Sequence, residues 1–465
     1  MNQKIKKIIL LFLALAATVS FCSCRVSDNF GDGGYEPSVP VSPIPPSSIK
    51  DGDKNGVPDD GDSGNQDNGD KTPDNSGSNP FTPPAPAEVR ISFLAAGDNI
   101  IHSSIYNDAN EKLGGAKDKY DFNYIYEHIA PLVKAADLAY VNVETLIGGD
   151  SNGITGYPNF NAPEAAGEAL LNLGFNVFNL AHNHMLDAAG AGKKSSLYLE
   201  NCHRYFLDRG GLPLGYYKDK DDTENIPIIE VKGVKIAFLA YTYSTNGHKV
   251  GANDTTYIPL TTDEAIIKKQ MAIAKEAADV VMVSMHWGVE DNWGATDAVF
   301  KVDDNQKKLA KLLASCNADV VIGMHPHVIQ STEWLERADG KQMLVTYSIG
   351  NLLSGMYWGR NMLGALLQLD IVVKDGDVSI EKPLMIPIVD QYKRISGEKF
   401  RDFKIYLFEN YTESLATSHG CHAKDDEIAS RGMKFSMKAL AKKIRNTYSE
   451  EFLSESVIEM LSTYK

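Results

Sequence analysis

Residues 174–187 read Gly174-Phe-Asn-Val-Phe-Asn-Leu180-Ala-His182-Asn183-His184-Met-Leu-Asp187. Asn176–Leu180 has the length and apolar content of a buried strand, and it runs straight into a cluster of imidazoles, an amide and a carboxylate. Before it, a helix is expected over Pro163–Leu173, with proline at the first helical position, where a missing N–H costs little. After it, a helix is expected over Ala188–Leu207. The same alternation extends in both directions. Val89–Ala96, Leu138–Val143, Val280–Met285, Asp319–Ile322, Met343–Ile349 and Leu366–Val373 read as strands. Asn123–Ala136, Thr262–Ala278 and Asn305–Ser315 carry helical spacing, the second opened by a threonine cap. Ile228–Val231 and Val234–Ala240 flank Lys232-Gly233, a hairpin signal. This β/α order predicts a layered α/β domain over residues 89–390. Residues 391–465 are polar, then helical over Ser436–Arg445, and read as an appended, partly helical C-terminal extension.

The chemistry-bearing residues collect where strands end. Gly97-Asp98 closes the first strand, with His102 four residues on. Asn142-Val-Glu144 closes the second. His286-Trp-Gly-Val-Glu290 follows the strand at 280–285, Gly323-Met-His325-Pro-His327 the one at 319–322, and Tyr347-Ser-Ile-Gly350-Asn351 the one at 343–349. With His182 and His184 of the 174–187 stretch, six of the 11 histidines lie at such strand ends. In an α/β sheet the carboxyl ends of parallel strands share one edge, where ligands bind. A single strand-end histidine is commonly a hydrogen-bonded core residue, and a lone glutamate there commonly a cap or ion-pair partner. Several such ends in one domain point instead to a shared site. Imidazole nitrogens, carboxylates and an amide oxygen suit Zn²⁺, Mn²⁺ or Fe. A carboxylate can bridge two ions about 3.5–4 Å apart, an arrangement suited to activating water and clamping a phosphoryl group. No cysteine joins the set. Trp287 and Tyr347 read as packing residues, and Cys202 and Cys316 as buried thiols.

The chain has 465 residues and a net charge of −15, which disfavours a nucleic-acid partner because phosphate backbones need lysine and arginine stripes. About half of the excess lies in residues 31–88, with 11 acidic residues against 3 lysines. That stretch is rich in Gly, Pro, Asp, Ser and Asn and cannot bury enough surface to offset its ordering entropy, so residues 25–88 read as a disordered acidic linker. Asp51–Asp62 has the D-x-D-x-N-G spacing of calcium loops, but Asp62 is short for the bidentate twelfth position and no helices flank it, which favours solvated linker. Lys4, Lys6 and Lys7 precede the apolar run Ile8–Val19, about 18 Å as a helix and too short for a bilayer core of about 30 Å. This reads as an export signal over residues 1–24. Cys24, preceded by Ser23, resembles a bacterial lipobox cysteine and is the expected lipidation site, anchoring the protein on a membrane outside the cytoplasm.

In order and spacing these motifs resemble the CapA-type capsule-biosynthesis family, the poly-γ-glutamate synthesis proteins. The matching pieces are Gly97-Asp98-Asn-Ile-Ile-His102, Asn142-Val-Glu144-Thr, Phe160-Asn-Ala-Pro163-Glu164, the 174–187 stretch, His286-Trp-Gly-Val-Glu290, Gly323-Met-His325-Pro-His327-Val-Ile-Gln330 and Tyr347-Ser-Ile-Gly-Asn351. That family is similar to calcineurin-like metallophosphatases, so the resemblance implies a four-layer α/β/β/α sandwich. It also implies that Asp98 serves a first metal, Glu144 bridges, Asn183 and His286 serve a second, and His325 and His327 divide between them. His184 would stand over the phosphate, with Asp187 and Glu290 orienting histidines or touching substrate. Ile100 stands where metallophosphatases usually carry the histidine of D-x-H, for which His102 could substitute, and His182 replaces the family's usual asparagine before Asn183, where it could be a further ligand or a bystander. The function so implied is a membrane-tethered, metal-dependent hydrolase acting on a phosphoester or on an anionic surface polymer during its assembly or export. The alternatives are a non-catalytic, polymer-binding member of a membrane synthase complex and a general envelope phosphoesterase.

Overall fold

The computed structural model describes residues 88–187, 194–290, 297–396, 399–423 and 435–465. The chain divides after Phe81, and all of these residues fall in Thr82–Lys465. The expected signal segment, Cys24, the Asp51–Asp62 loop and the linker up to residue 87 lie outside the described residues. No described helix is long and apolar enough to cross a membrane.

Two sheets build the molecule. In the first, β1 (Val89–Asn99), β2 (Leu138–Asn142), β3 (Val177–Asn179) and β4 (Leu212–Leu214) run parallel in that order. The second holds β5 (Ile228–Val231), β6 (Val234–Thr242), β7 (Val280–His286), β8 (Val320–Met324), β9 (Thr332–Glu336) and β10 (Gln342–Thr346), in the order β5-β6-β7-β8-β10-β9. The chain then returns to the first sheet. There β11 (Asn351–Leu353) joins β1 in parallel, and β12 (Leu363–Lys374), β13 (Asp377–Ser396) and β14 (Lys399–Leu407) extend it antiparallel.

Strand alternation sends successive side chains to opposite faces, and this sets the layers. Ile236, Phe238, Val280, Met282, Val320 and Ile322 of the second sheet share a core with Phe93 and Tyr140 of the first. Phe93 meets Phe238 with ring centroids 6.5 Å apart, and Tyr140 and Ser284 share a 2.7 Å hydroxyl bond between the sheets. The first four helices are α1 (Ser103–Glu111), α2 (Ala130–Ala135), α3 (Glu164–Leu173) and α4 (Leu197–Leu207). Phe206 of α4 stacks at 3.9 Å on Phe178, covering the outer face of the first sheet. The other face of the second sheet presents Leu239, Val281 and Val283 to Ile267 and Met271 of α5 (Glu264–Ala277) and to Leu309 and Leu313 of α6 (Asp304–Ser315). The result is a four-layer α/β/β/α sandwich. Trp287 and Tyr347 stack within this outer core, rings 5.9 Å apart.

Local chemistry marks the ends. Asp263, one residue past the expected threonine, caps α5 by accepting from Ile266 N–H, and Asp303 with Gln306 forms a capping box on α6. Gly174 closes α3 at φ 113°, a left-handed position that favours glycine. Lys232 and Gly233 both turn at positive φ between β5 and β6. The helix expected over Asn123–Ala136 is instead a 3₁₀ turn at Asn123–Ile125 followed by α2, because Pro131 in the first turn of α2 has no N–H to continue a helix through it. The helix expected from Ala188 is observed from Leu197, and residues 188–193 lie outside the described ones.

The expected boundary at 390 falls inside β13. That strand and β14 complete the first sheet, and α7 (Glu413–Ser418), α8 (Met437–Thr447) and α9 (Glu455–Thr463) follow them. Met437, Leu440, Ile444, Val457 and Leu461 enter the same core as β1. Residues 391–465 are therefore not an appendage. Pro383, Pro387 and a run of charges hide the strand pattern, because one face of the hairpin is wet while Tyr392, Phe400, Phe403 and Ile405 are buried. Among the described residues Cys202, Cys316 and Cys421 form no disulfide; Cys316 is only half-buried, and burial pushes the Cys202 thiol up to about 12.

Candidate metal centre

The carboxyl ends of β1, β2, β3, β7 and β8 converge, and with them come the side chains singled out above. Asp98 lies at the end of β1, Glu144 just after β2, Asn183 in the loop after β3, His286 at the last position of β7, and His325 and His327 just after β8. All six are buried. Ligand atoms of Asp98, Glu144 and His286 lie within 4.8 Å of one another, and so do those of Glu144, His325 and His327. Glu144 is common to both groups. Its Oε1 stands 3.6 Å from His286 Nε2 and 3.6 Å from His327 Nε2.

The backbone is bent to make this possible. His325 and His327 both sit at positive φ, 100° and 55°, on either side of Pro326. Non-glycine residues rarely adopt that region, and the cost is tolerated where a side chain must be aimed. Asp98 is pinned from three directions. Its N–H donates to Gly350 O at 3.0 Å, Asn142 Nδ2 donates to its Oδ1 at 2.7 Å, and its Oδ2 lies 2.9 Å from His327 Nδ1. The last contact, with Asn351 Oδ1 at 3.0 Å, holds the proton on Nδ1 and leaves the His327 Nε2 lone pair toward Glu144. Asn183 Nδ2 donates to Asn246 Oδ1 at 3.1 Å, which turns Asn183 Oδ1 to within 2.9 Å of His286 Nε2.

The donors fit a divalent metal. Among the described residues, both carboxylate oxygens of Glu144, and Nδ1 of His286 and of His325, are buried with no hydrogen-bond partner. Buried polar groups are ordinarily satisfied, so a cluster of orphaned donors of this kind fits a cation. Burial holds the imidazoles of His286 and His325 well below their ordinary pKa, with neighbouring imidazoles adding to the effect, so both are neutral lone-pair donors. Burial also pushes Glu144 well above the usual carboxylate range, and the Asp98 charge adds to it. For His327 burial opposes the proton, but the hydrogen bond and charge of Asp98 outweigh it and raise the pKa.

The remaining sequence candidates flank this cluster. His184 is nearly buried, with Nδ1 2.9 Å from Asp187 Oδ2 and its ring edge-on to Phe160 at 4.8 Å. Asp187 Oδ2 also accepts from Phe160 N–H at 2.7 Å. Glu290 stands at the half-exposed rim, 3.9 Å from His327 Nε2. His182 is buried, 6.1 Å between ring centroids from His286, with Nε2 unpartnered among the described residues. His102 precedes α1 and has its pKa lowered to about 4 by burial. Neither joins the two metal-type groups found among the described residues. Sequence reasoning gave no role to Asn142, Asn351, Asn246 or Tyr243. The first two stand in strand-end motifs and were open to the same reasoning as Glu144. Asn246 and Tyr243, whose ring lies 4.3 Å from His325, follow β6 in a loop without a signal of its own.

Two facing sheets whose parallel strands deliver buried imidazoles and carboxylates to one edge define an α/β/β/α protein with a candidate metal centre. The chain belongs to the bacterial capsule synthesis protein PGA_cap family, whose model matches residues 92–356. It is 31% identical over 262 residues to the capsule biosynthesis protein CapA of Bacillus anthracis, covering 54% of this chain and 58% of that one. It is 28% identical over 254 residues to the PGA biosynthesis protein CapA of Bacillus subtilis (strain 168), covering 52% and 60%. The chain thus matches under two thirds of the length of either relative. Among solved structures, a phosphatase of Mycoplasma pneumoniae aligns at 15% identity and a TM-score of 0.36, covering 65% of this chain and 95% of that one.

Proposed function

We propose that this protein is a metal-dependent hydrolase of the phosphoesterase type, working outside the cytoplasm in the assembly or export of a capsule polymer such as poly-γ-glutamate. The observation that carries the reading is Glu144, a buried carboxylate with no hydrogen-bond partner among the described residues and common to both groups of ligand-type atoms. Asp98, Glu144, Asn183, His286, His325 and His327 would hold one or two divalent ions, Mn, Zn or Fe. Bound there, such ions would lower the pKa of a water and stabilise developing charge on a phosphoryl or acyl oxygen.

The chain's own groups supply the rest. Asp187 accepts from His184 Nδ1–H and so leaves the lone pair on Nε2, 3.5 Å from Asn246 Nδ2, to carry a proton to or from the substrate. Phe160 fixes the ring from the side, and its own N–H is tied to the same carboxylate. Asn246 sets the Asn183 amide, and Asn351 with Asp98 sets the His327 tautomer. Glu290, at the rim, is placed to meet a substrate group. The apolar run before Cys24 supports anchoring by a lipid on that cysteine, with the acidic linker as tether.

The test is elemental analysis of the purified protein beside a panel of aryl phosphates and phosphodiesters. Bound Mn, Zn or Fe with turnover is expected. His184→Ala should keep the metal and lose about 100-fold or more in kcat. Metal without turnover on any phosphoester would sink the catalytic reading in favour of a polymer-binding component. Absence of metal would sink both.

A further inference from the structure

A cavity of about 240 Å³ opens beside the metal centre, bordered by His327 and Glu290 on one side and by His102, Tyr157, Met356, Tyr357, Trp358 and Asn361 on the others. Its wall is built in advance. Asp390, buried on β13, accepts from Ser354 N–H at 2.7 Å, and the Tyr392 hydroxyl donates to Met356 O at 2.8 Å. Asn361 Nδ2 donates to His327 O at 3.0 Å, tying the wall to the histidine loop itself. Tyr157 is the exception, 68% exposed at the mouth, with its ring edge-on to Phe160 at 6.2 Å.

The chemistry of the lining is selective. Among the described residues no lysine or arginine borders the cavity, the Arg360 guanidinium lying behind its wall 5.0 Å from the Trp358 ring, and Glu290 brings a carboxylate. His102 Nδ1 lies 3.1 Å from Gly355 N and 3.3 Å from Ile100 O, and burial keeps its ring neutral. Asn361 Oδ1 is buried without a partner among the described residues. The polar groups are thus weighted toward acceptors, between aromatic faces. A polycarboxylate segment would meet the Glu290 carboxylate here. A ring with apolar C–H faces and several hydroxyl donors would stack on Tyr157 and Trp358 and donate to Glu290 and Asn361.

We propose that this cavity is a subsite for the sugar ring of a phosphorylated saccharide, whose phosphate would face the metal centre. The proposal rests on the phosphoesterase reading and names its substrate class. Hydrolysis would add water across the ester P–O bond, leaving the alcohol on the sugar and inorganic phosphate at the centre, with no redox change.

The test is calorimetric titration of the metal-loaded full chain with inorganic phosphate, glucose 6-phosphate, 3-phosphoglycerate and AMP. Glucose 6-phosphate is expected to bind at least about 10-fold tighter than phosphate, and 3-phosphoglycerate no tighter than phosphate. Tyr157→Ala, at an exposed position, should erase that gain and leave phosphate binding unchanged. Trp358→Ala should do the same, and circular dichroism would show the fold retained. Equal affinity for sugar phosphate and phosphate, a gain insensitive to Tyr157, or a larger Tyr157-dependent gain for AMP would overturn the subsite while leaving the metal reading intact. Failure of phosphate to bind in a metal-dependent way would overturn both.

Discussion

Glu144 is the residue on which the centre turns. With both oxygens buried and without a hydrogen-bond partner among the described residues, it is the most poorly satisfied carboxylate of the cluster, and burial raises its pKa. The sign of the consequence follows. A carboxyl whose pKa rises on folding costs nothing below its unfolded value of about 4.3 and costs progressively more as pH climbs from there toward the folded value. Metal-free Glu144→Gln is therefore expected to melt above the metal-free parent, by a margin that widens between about pH 5 and pH 8 and is worth about 2–4 °C for each kcal/mol relieved. With metal added the order should invert, because only the parent gains binding free energy. Melting curves in chelator and in excess Mn²⁺ check this; a metal-free difference that does not depend on pH would refute the role given to Glu144. At this scale the sequence was informative. Asp98, Glu144, Asn183, His286, His325 and His327 could each be placed at a strand end by a local pattern. Asn246 could not, since its partner Asn183 is 63 residues away and only the packed loops bring them together.

At the scale of elements, the centre depends on how closely β1 and the turn before β11 approach. A Cβ on Gly97 would lie 1.8 Å from Gly350 O, backbone against backbone, with no flexible side chain to yield. The same turn supplies the Gly350 carbonyl that holds Asp98 N–H, and then Asn351, which contacts His327. Gly97→Ala should therefore cost about 1–3 kcal/mol or more and also lower metal content, coupling a packing defect to the chemistry. Denaturant melts with metal analysis on the same sample decide it, and unchanged values of both would refute this account. The sequence resolved most helices and strands because their periods are local. It misjudged Asn123–Ala136, where Pro131 interrupts an otherwise helical spacing, and missed β13 and β14, whose wet face and prolines break the alternation that marks a strand.

For the whole molecule, the C-terminal 75 residues belong to the first sheet and its core, from the second half of β13 through α9. Cutting the chain after Asp390 would expose Leu366, Ile371, Met385 and their neighbours and strip β13 of its partner strand. Such a chain is expected to give no cooperative thermal transition and to associate through its open sheet edge. A soluble, cooperatively melting product ending at Asp390 would show the appended-extension reading to be right after all. The same hairpin matters for the site, since Asp390 and Tyr392 of β13 anchor the loop that lines the cavity.

What the sequence by itself determined is the alternating α/β order, the family resemblance, and the set of imidazoles and carboxylates at the strand ends, because each is written in a short stretch of chain. The tertiary structure alone decided how close the ligand-type atoms around Glu144 lie, that β13 and β14 close the first sheet, and that an aromatic cavity adjoins the centre. These depend on contacts between residues tens to hundreds of positions apart, and no local period of side chains encodes such a distance.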